Sequence, residues 1–280
     1  MSGETGFSAL VTGGASGIGA AVSRKLASRG INVLIADVQD ELGEKLAQEI
    51  KSAFKVEAVY LHTDVSKEAD IRNMIATVVK KFGRLDYAAN VAGICENTQF
   101  EEHSITAEMV DRTYSINQRG VWLCQKLEAE QMITQERRAV EFSPPSPQSI
   151  QPQRGAIVNV ASTTAVVGMG FGAYAQTKAA VVTITQNGAF FYGPQGVRCN
   201  SISPGGTVTP MMLRNVPEQF RGTDTHEQPG NVLVQPIALK TMARPEEQAN
   251  VISFLLSAES SQVTGVNILV DGGFTFTRSG

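Results

Sequence analysis

One stretch decides the fold of this chain: Thr12-Gly13-Gly14-Ala15-Ser16-Gly17-Ile18-Gly19. An apolar run over 7–11 precedes it, and a segment of helical period over 18–28 follows it. Glycines at such a strand-to-helix turn allow tight turning and bring backbone N–H groups close to a pyrophosphate, which the helix dipole also favours. Glycine-rich turns also occur without a ligand. The flanking pattern predicts a dinucleotide site at Gly13, Ser16, Gly17, Ile18 and Gly19.

Outward from this turn, apolar runs rich in Val, Ile and Ala alternate with segments of helical period. This alternation is typical of a parallel sheet covered by helices on both faces. The predicted strands are 7–11, 32–36, 56–61, 85–90, 156–160, 197–202 and 267–270. The predicted helices are 18–28, 41–52, 71–81, 120–136, 174–191 and 246–257. The sequence therefore predicts an α/β fold, with one Rossmann-type domain over 1–280 built on a doubly wound seven-stranded parallel sheet.

Two segments interrupt the alternation. Residues 137–154 contain Ser-Pro-Pro-Ser-Pro and few apolar residues, so we predict a surface insertion. It leads into the amino end of a strand, whereas ligands gather at carboxyl ends, so no catalytic role is expected. Residues 210–239 follow a carboxyl end and mix apolar residues with Gly and Pro, which favours a substrate lid over a merely mobile connection.

Composition excludes several classes of protein. The formal net charge of -3 gives no general attraction to nucleic acid or acidic membranes, so neither is an expected partner. Residues 1–5 lack the basic start and apolar stretch of a secretory signal, and we expect a cytoplasmic protein. The three cysteines are widely spaced and predict buried thiols, and the three histidines lack metal-ligand spacing. No metal site is predicted.

Asp37 ends the second predicted strand, eighteen residues after Gly19. This spacing suits a carboxylate that accepts from the 2′- and 3′-hydroxyls of an adenosine ribose. The same carboxylate would repel a 2′-phosphate, and neither Ser16 nor Val38 supplies a cation to hold one. The sequence predicts NAD rather than NADP. A turn or helix-capping aspartate is the alternative for Asp37.

Tyr174 and Lys178 lie four residues apart in a predicted helix, which puts both side chains on one face. The ammonium and an oxidised nicotinamide can lower the tyrosine pKa from near 10 by about two to three units, so that Tyr174 accepts an alcohol proton. Ser162 follows a strand end and is predicted to orient the substrate oxygen, unless it is a turn serine. Asn117 is a candidate polar relay or a local backbone binder.

The order of these motifs over 7–273 resembles the classical short-chain dehydrogenase/reductase family. The motifs concerned are the glycine loop 12–19, Asp64-Val65, Asn90-Val91-Ala92-Gly93, Asn117, Ser162, Tyr174 with Lys178, Asn200, Pro204-Gly205, Thr209 and Val270-Asp271-Gly272-Gly273. The resemblance implies that Asp64 and Val65 border the adenine and Asn90 the adenosine ribose. It places Thr207 and Thr209 at the carboxamide, Lys178 at the nicotinamide ribose, and a water at Asn117. The predicted cofactor set is Gly13, Ser16, Gly17, Ile18, Gly19, Asp37, Val38, Asp64, Val65, Asn90, Ala92, Gly93, Tyr174, Lys178, Pro204, Gly205, Thr207 and Thr209.

Three features depart from the family pattern. Val91 replaces an asparagine, Ser162 stands twelve residues before Tyr174, one fewer than is commonest, and the insertion 137–154 is long. The shorter spacing predicts either a shortened loop over 168–172 or a displaced Ser162.

The resemblance implies an oxidoreductase that interconverts a secondary alcohol and a ketone, with oxidation favoured by NAD. It also implies a homotetramer with one interface on helices 120–136 and 174–191. The apolar residues of 210–239 predict a bulky, largely hydrocarbon substrate. The alternative is a non-redox isomerase or cyclase, or an NAD sensor, which would not need an activated tyrosine.

Overall fold

The computed structural model describes residues 4, 6–95, 102–139, 151–215 and 234–277. Within them, one seven-stranded parallel sheet has the order β3-β2-β1-β4-β5-β6-β7. The strands are β1 (Ser8–Thr12), β2 (Asn32–Asp37), β3 (Ala58–His62), β4 (Tyr87–Asn90), β5 (Gly155–Val160), β6 (Val197–Pro204) and β7 (Asn267–Val270). The predicted doubly wound Rossmann-type sheet is confirmed. Strand order reverses between β1 and β4, where the carboxyl ends of such sheets form a ligand crevice.

Helices cover both faces of the sheet. They are α1 (Gly17–Ala27), α2 (Asp40–Phe54), α3 (Glu68–Phe82), α4 (Ala107–Tyr114), α5 (Val121–Ile133), α6 (Gly172–Tyr192), α7 (Pro210–Asn215), α8 (Pro245–Leu256) and α9 (Phe274–Thr277). Strand side chains alternate between two apolar clusters. Val11 and Ile35 pack with α1, α2 and α8, whereas Leu10 and Leu34 pack with α3 and α5. Burial on both faces explains why the central strands are almost continuously apolar.

The predicted helix 120–136 differs from the structure. It is the last part of a longer helical stretch, in which α4 leads through a π-helical turn, Ser115–Gly120, into α5. The wider π turn interrupts the 3.6-residue period, so the apolar pattern changes face there and α4 escapes detection. Strands β3 and β4 also start two residues later than predicted, at Ala58 and Tyr87.

The ends of both irregular segments are described. Arg138 and Gln153 form an antiparallel bridge, with N–H to O distances of 2.7 and 3.0 Å, and Arg154 N–H donates to Gly196 O at 2.7 Å. This bridge holds the insertion at the amino end of β5, and 140–150 lie outside the described residues. Of the predicted lid, 216–233 lie outside them too, so its role stays a prediction. No helix in the described part of the chain is long and apolar enough to cross a membrane.

Candidate active site

The glycine loop needs its glycines for steric reasons. Gly13 and Gly17 have φ values of +62° and +51°, a region that side chains rarely adopt. A Cβ on Gly13 would lie 2.8 Å from the backbone N of Ala92, and a Cβ on Gly19 would collide with the carbonyl oxygen of Gly13. The loop therefore packs directly against the turn that follows β4.

Residues at the start of α1 fit a dinucleotide. Ser16 is the N-cap residue, but its side chain makes no capping bond to the first N–H groups of α1. Asp37, 6% exposed, accepts from Ala15 N–H at 3.0 Å through Oδ2 and from Gln39 N–H at 3.1 Å through Oδ1. Oδ1 also accepts from the Gln39 side-chain amide at 3.3 Å, so Oδ2 is the oxygen that keeps a further lone pair. Asp37 thus holds the glycine loop in place, which is the role of the turn aspartate given above as the alternative. It also has acceptor capacity left for ribose hydroxyls.

The residues predicted to border the adenosine lie at the neighbouring strand ends. Val38 is exposed, and Val65 is buried in the cluster under α3 and α5. The Asp64 carboxylate accepts from the N–H of Ser66 at 3.0 Å and from its hydroxyl at 2.7 Å, and it pairs with Lys67 at 3.4 Å. The adenine contacts of Asp64 and Val65 stay predictions.

Thr12 joins the loop to the turn after β4. Its Oγ1 accepts from the N–H groups of Val91 and Ala92 at 3.2 and 3.3 Å. Val91 itself packs on the apolar core, so an asparagine is not needed at this position. A Cβ on Gly93 would lie 3.3 Å from both Asn117 Oδ1 and Lys178 Nζ. The turn therefore connects the dinucleotide end with the residues predicted to be catalytic.

The structure brings Ser162, Tyr174 and Lys178 together despite the shortened spacing. The Ser162 hydroxyl lies close enough to the Tyr174 phenol to lower its pKa, and it accepts from Thr164 N–H at 3.2 Å. Lys178 Nζ lies 5.7 Å from the centroid of the Tyr174 ring and donates to Val160 O at 2.7 Å. Both Tyr174 and Lys178 lie in the first two turns of α6, as the helical spacing predicted.

The predicted lowering of the tyrosine pKa is not produced by these side chains. Burial raises the pKa of Tyr174 to about 12, the nearby Cys95 thiol adds to the rise, and the Ser162 hydrogen bond only partly offsets it. Burial also lowers the pKa of Lys178 to about 8. Desolvation therefore outweighs any effect of the ammonium on the phenol. The sequence predicts Cys95 only as a reduced thiol. It gives no sign that Cys95 lies near Tyr174, because the two residues are far apart along the chain.

Asn117 lies in the π-helical turn and is fully buried. Its Oδ1 accepts from Ile94 N–H at 2.8 Å, and its Nδ2 donates to Ile94 O at 2.8 Å and to Thr177 Oγ1 at 3.3 Å. The Asn117 side chain therefore binds the backbone of Ile94, in the turn after β4, and does not bind the backbone of its own helical turn. A water held at Asn117 stays a prediction.

Comparisons with known proteins place this geometry in a family. The family model described as enoyl-(acyl carrier protein) reductase matches residues 13–275. The chain belongs to the classical short-chain dehydrogenase/reductase family. It is therefore an oxidoreductase with a nicotinamide cofactor.

Full-length relatives agree with this assignment. (+)-Borneol dehydrogenase 2 of Salvia officinalis is 34% identical over 276 residues, covering 96% of this chain and 89% of that protein. 2,5-Dichloro-2,5-cyclohexadiene-1,4-diol dehydrogenase of Sphingobium indicum is 35% identical, covering 98% and 99%. The crystal structure of levodione reductase superposes with a TM-score of 0.83 at 30% identity, covering 97% of this chain and 98% of that one.

The side chain of Asn90 in this short-chain dehydrogenase/reductase points into the core. Asn90 is predicted to border the adenosine ribose, but its Nδ2 donates to Glu128 Oε2 at 2.9 Å and to Asn159 Oδ1 at 3.0 Å. Asn90 is 1% exposed, so only its backbone remains for a ribose contact. Sequence reasoning missed Glu128 because a single acidic residue in a helix ordinarily faces solvent.

The segment after β6 completes the site of this short-chain dehydrogenase/reductase. Thr209 Oγ1 accepts from Met212 N–H at 3.2 Å, and its methyl would lie 3.3 Å from a Cβ on Gly17. Thr207 Oγ1 instead donates to Gly205 O at 3.0 Å and accepts from Gln248 Nε2 at 3.1 Å. Thr209 thus borders the glycine loop, whereas the Thr207 hydroxyl is bound to protein atoms. Pro204 ends β6 immediately before this turn.

Proposed function

We propose that this oxidoreductase interconverts a secondary alcohol and a ketone with NAD, with oxidation as the favoured direction. One observation supports it most: Ser162, Tyr174 and Lys178 converge at the sheet edge that also holds the glycine loop and Asp37. The dehydrogenase relatives favour oxidoreduction over the non-redox alternative. A protein that only senses the dinucleotide would need the glycine loop and Asp37, but it would not need the hydroxyls of Ser162 and Tyr174.

Ser162, Tyr174 and Lys178 have different roles in the proposed proton transfer. The hydroxyls of Ser162 and Tyr174 hold the substrate oxygen, and Tyr174 exchanges the alcohol proton. When bound, the cofactor accepts or supplies the hydride. From a pKa of about 12, Tyr174 needs roughly 6 kcal/mol of preferential stabilisation of its anion to act near neutral pH. The Lys178 ammonium supplies part of it, and a positively charged nicotinamide ring would add to it.

Asp37 is proposed to select NAD. Its carboxylate faces the adenosine end of the crevice, where it would accept from ribose hydroxyls and repel a 2′-phosphate. Gln39 donates to Asp37 and Ser16, and the next residue after Asp37 is Val38, so these positions add no cation.

A bulky, largely hydrocarbon substrate is proposed from the apolar surroundings of the catalytic edge. Both described ends of the segment 210–239 pack into one apolar cluster with the loop that leads to Tyr174. Its members are Met169, Val208, Met212, Val234, Ile237, Met242 and Phe274. Relatives named for borneol and for a dichlorocyclohexadienediol are consistent with such a substrate. Turnover confined to small hydrophilic alcohols would contradict this part of the proposal.

A homotetramer is proposed, with one interface on the two predicted helices. On α5 and α6, Trp122 is 47%, Phe190 76% and Phe191 62% exposed, and such aromatic groups are typical of interfaces. Multi-angle light scattering of the natural protein should give four times the chain mass. A monomer would contradict this assembly and leave the catalytic proposal intact.

The first experiment is an absorbance screen for reduced nicotinamide with secondary alcohols and either NAD or NADP. Tyr174→Phe should reduce turnover by about 10³-fold, because it removes the proton acceptor and keeps the ring. Tyr192→Phe, on the same helix, is the matched control and should retain activity. NADH binding should survive in both variants. Full turnover by Tyr174→Phe, or tight NAD binding with no alcohol turned over, would refute the proposal.

A further inference from the structure

A buried polar cluster lies behind the cofactor-binding turn. Asn90 on β4, Glu128 on α5 and Asn159 on β5 are each 1% exposed or less. Asn90 Nδ2 donates to both Glu128 Oε2 and Asn159 Oδ1. Asn159 Nδ2 donates in turn to Gln125 Oε1 at 2.7 Å and to Thr185 Oγ1 at 2.9 Å. Every donor of these two amides therefore has a partner.

Two acceptors in this cluster have none. Glu128 Oε1 and Asn90 Oδ1 are buried and without a hydrogen-bond donor among the described residues. They belong to the same two side chains that already share one hydrogen bond. An ionised carboxylate has only acceptors, so it would bury two acceptors on adjoining groups at a high cost in free energy. A carboxylic acid has one O–H donor and complements a primary amide through both of its oxygens.

We infer that Glu128 is a neutral carboxylic acid in the folded protein and pairs with the Asn90 amide through both oxygens, which positions the cofactor-binding turn. The acid O–H on Oε1 donates to Asn90 Oδ1, and Asn90 Nδ2 donates to Oε2. Asn90 Nδ2 keeps its second hydrogen bond, to Asn159 Oδ1. Glu128 is a positioning residue, because it acts through Asn90.

The electrostatic surroundings agree with a neutral acid. Burial raises the pKa of Glu128 to about 8, although the hydrogen bond from Asn90 acts in the opposite direction. Two titratable groups are coupled to Glu128 in the described residues: Cys124 on its own helix and Cys199 on β6. Burial raises the pKa of both thiols, so neither brings a charge of its own.

The pair lies directly under the turn it positions. Asn90 is aligned with Thr12 across the sheet, and Thr12 Oγ1 receives the next two N–H groups of the turn. Ala92 packs so closely on Gly13 that a Cβ on Gly13 would lie 2.8 Å from the Ala92 backbone N. A Cβ on Gly93 would lie 3.3 Å from Lys178 Nζ. A displacement of Asn90 would therefore reach both the glycine loop and the ammonium.

Glu128→Gln tests the proton, because the glutamine amide supplies the same donor and acceptor without titrating. Glu128→Leu removes the pair, and Glu130→Gln, an exposed acid on the same helix, is the matched control. A raised folded-state pKa means that stability is greatest at low pH and declines as pH rises from 4.5 to about 8. Over this range the unfolding equilibrium constant of the natural protein should rise by up to tenfold per pH unit relative to Glu128→Gln, and this relative change should end above about pH 8.

Three readouts decide the inference. Denaturant unfolding should show the relative pH slope against Glu128→Gln but not against Glu130→Gln, and infrared difference spectra should show a protonated carboxyl band that Glu128→Gln lacks. The dissociation constants for NADH and NADPH should rise severalfold more above pH 8 in the natural protein than in Glu128→Gln, which keeps the contribution of Lys178 common to both. Parallel pH profiles, or Glu128→Gln as damaging at pH 7 as Glu128→Leu, would overturn it. If Glu128→Leu does not fold, the comparison with Glu128→Gln still decides.

Discussion

The two edges of the sheet each bury a cation, and they treat it differently. At the carboxyl edge, Lys178 is 3% exposed and donates one hydrogen bond among the described residues, to Val160 O. At the amino edge, Arg198 is 6% exposed, and its guanidinium donates to carbonyl oxygens of Leu255, Leu256 and Ser257 at 2.7 to 3.1 Å, where α8 ends. The arginine is satisfied by protein. The lysine keeps donors available, which is what a ligand site requires.

The two edges also differ in their carboxylates. Asp86, at the amino edge, pairs with Arg84 at 2.6 Å and with Arg138 at 3.3 Å. Asp37, at the carboxyl edge, accepts from backbone N–H groups and the Gln39 amide, and forms no ion pair with any residue that the structure describes. A buried anion with a cationic partner stabilises the fold, whereas Asp37 stays a net negative charge at the crevice. The comparison predicts that changes at the carboxyl edge impair activity, while changes at the amino edge impair stability.

Lys178→Met should give the largest effect. It replaces a buried ammonium by a neutral chain of similar length, so kcat/KM for the alcohol should fall about 10³-fold because the tyrosine anion loses its stabilising charge. The free energy of unfolding should change by no more than about 1 kcal/mol, since one hydrogen bond is lost and one buried charge is removed. Steady-state kinetics and urea unfolding of the same preparation measure both. A large loss of stability would show that Lys178, like Arg198, mainly stabilises the fold, and would contradict the comparison.

Arg198→Met should do the opposite. It leaves several carbonyl oxygens at the end of α8 without donors, so the free energy of unfolding should fall by about 3 kcal/mol. The kcat per folded molecule should stay within about twofold, because the substitution lies at the far edge of the sheet. Chemical denaturation and active-site titration separate the two effects. A specific loss of kcat at full stability would refute the division between the edges.

Asp37→Ser should have an intermediate effect on cofactor choice. The substitution removes the negative charge that would repel a 2′-phosphate. It also removes the charge-assisted hydrogen bonds to the ribose, which are worth about 1.5 to 3 kcal/mol. The ratio of kcat/KM for NAD to that for NADP should therefore fall by about 10-fold to 100-fold. Glu49→Ser, an exposed acid on α2 paired with Arg24, is a control that should leave the ratio unchanged. An unaltered ratio in Asp37→Ser would show that other groups select the cofactor.

Replacing residues 140–150 by a short Gly-Ser linker should have the smallest effect. The replaced segment begins and ends next to the bridge between Arg138 and Gln153, which lies at the amino end of β5. Because Ser162, Tyr174 and Lys178, the residues proposed to be catalytic, lie at the opposite edge, kcat and KM should stay within about twofold. Loss of activity with retained stability would assign the insertion a catalytic part and remove the distinction between the edges.

Local patterns were sufficient for much of this molecule. Strand alternation, the glycine loop and the four-residue spacing of Tyr174 and Lys178 are short-range signals, and the structure places them as expected. The π-helical turn was not predictable, because it changes backbone hydrogen bonding without a characteristic composition. That is why α4 was missed and the helix over 120–136 was placed without its first part.

Properties that depend on distant residues could not be predicted. Burial raises the pKa of Tyr174 to about 12, and the sequence shows the lysine but not this burial; the lowering expected with an oxidised nicotinamide stays a prediction. The motif names Asn90 but not the direction of its side chain, so the sequence did not show that this side chain lies in the core. Its partners lie 38 and 69 residues further along the chain.

The long separation within the Asn90 cluster bears on how the chain acquires its structure during synthesis. β1 and β4 can pair once the ribosome has released residues up to Asn90, but α5 and β5 emerge only after some 38 and 69 further residues. Contacts of such sequence separation form late, since the loop must close before the contact stabilises it. Until β5 arrives, the half-sheet has a polar amide at its centre with no partner and an unpaired strand beside it. We expect nascent chains stalled in this interval to depend most on chaperones, which ribosome profiling of chaperone-bound nascent chains would reveal.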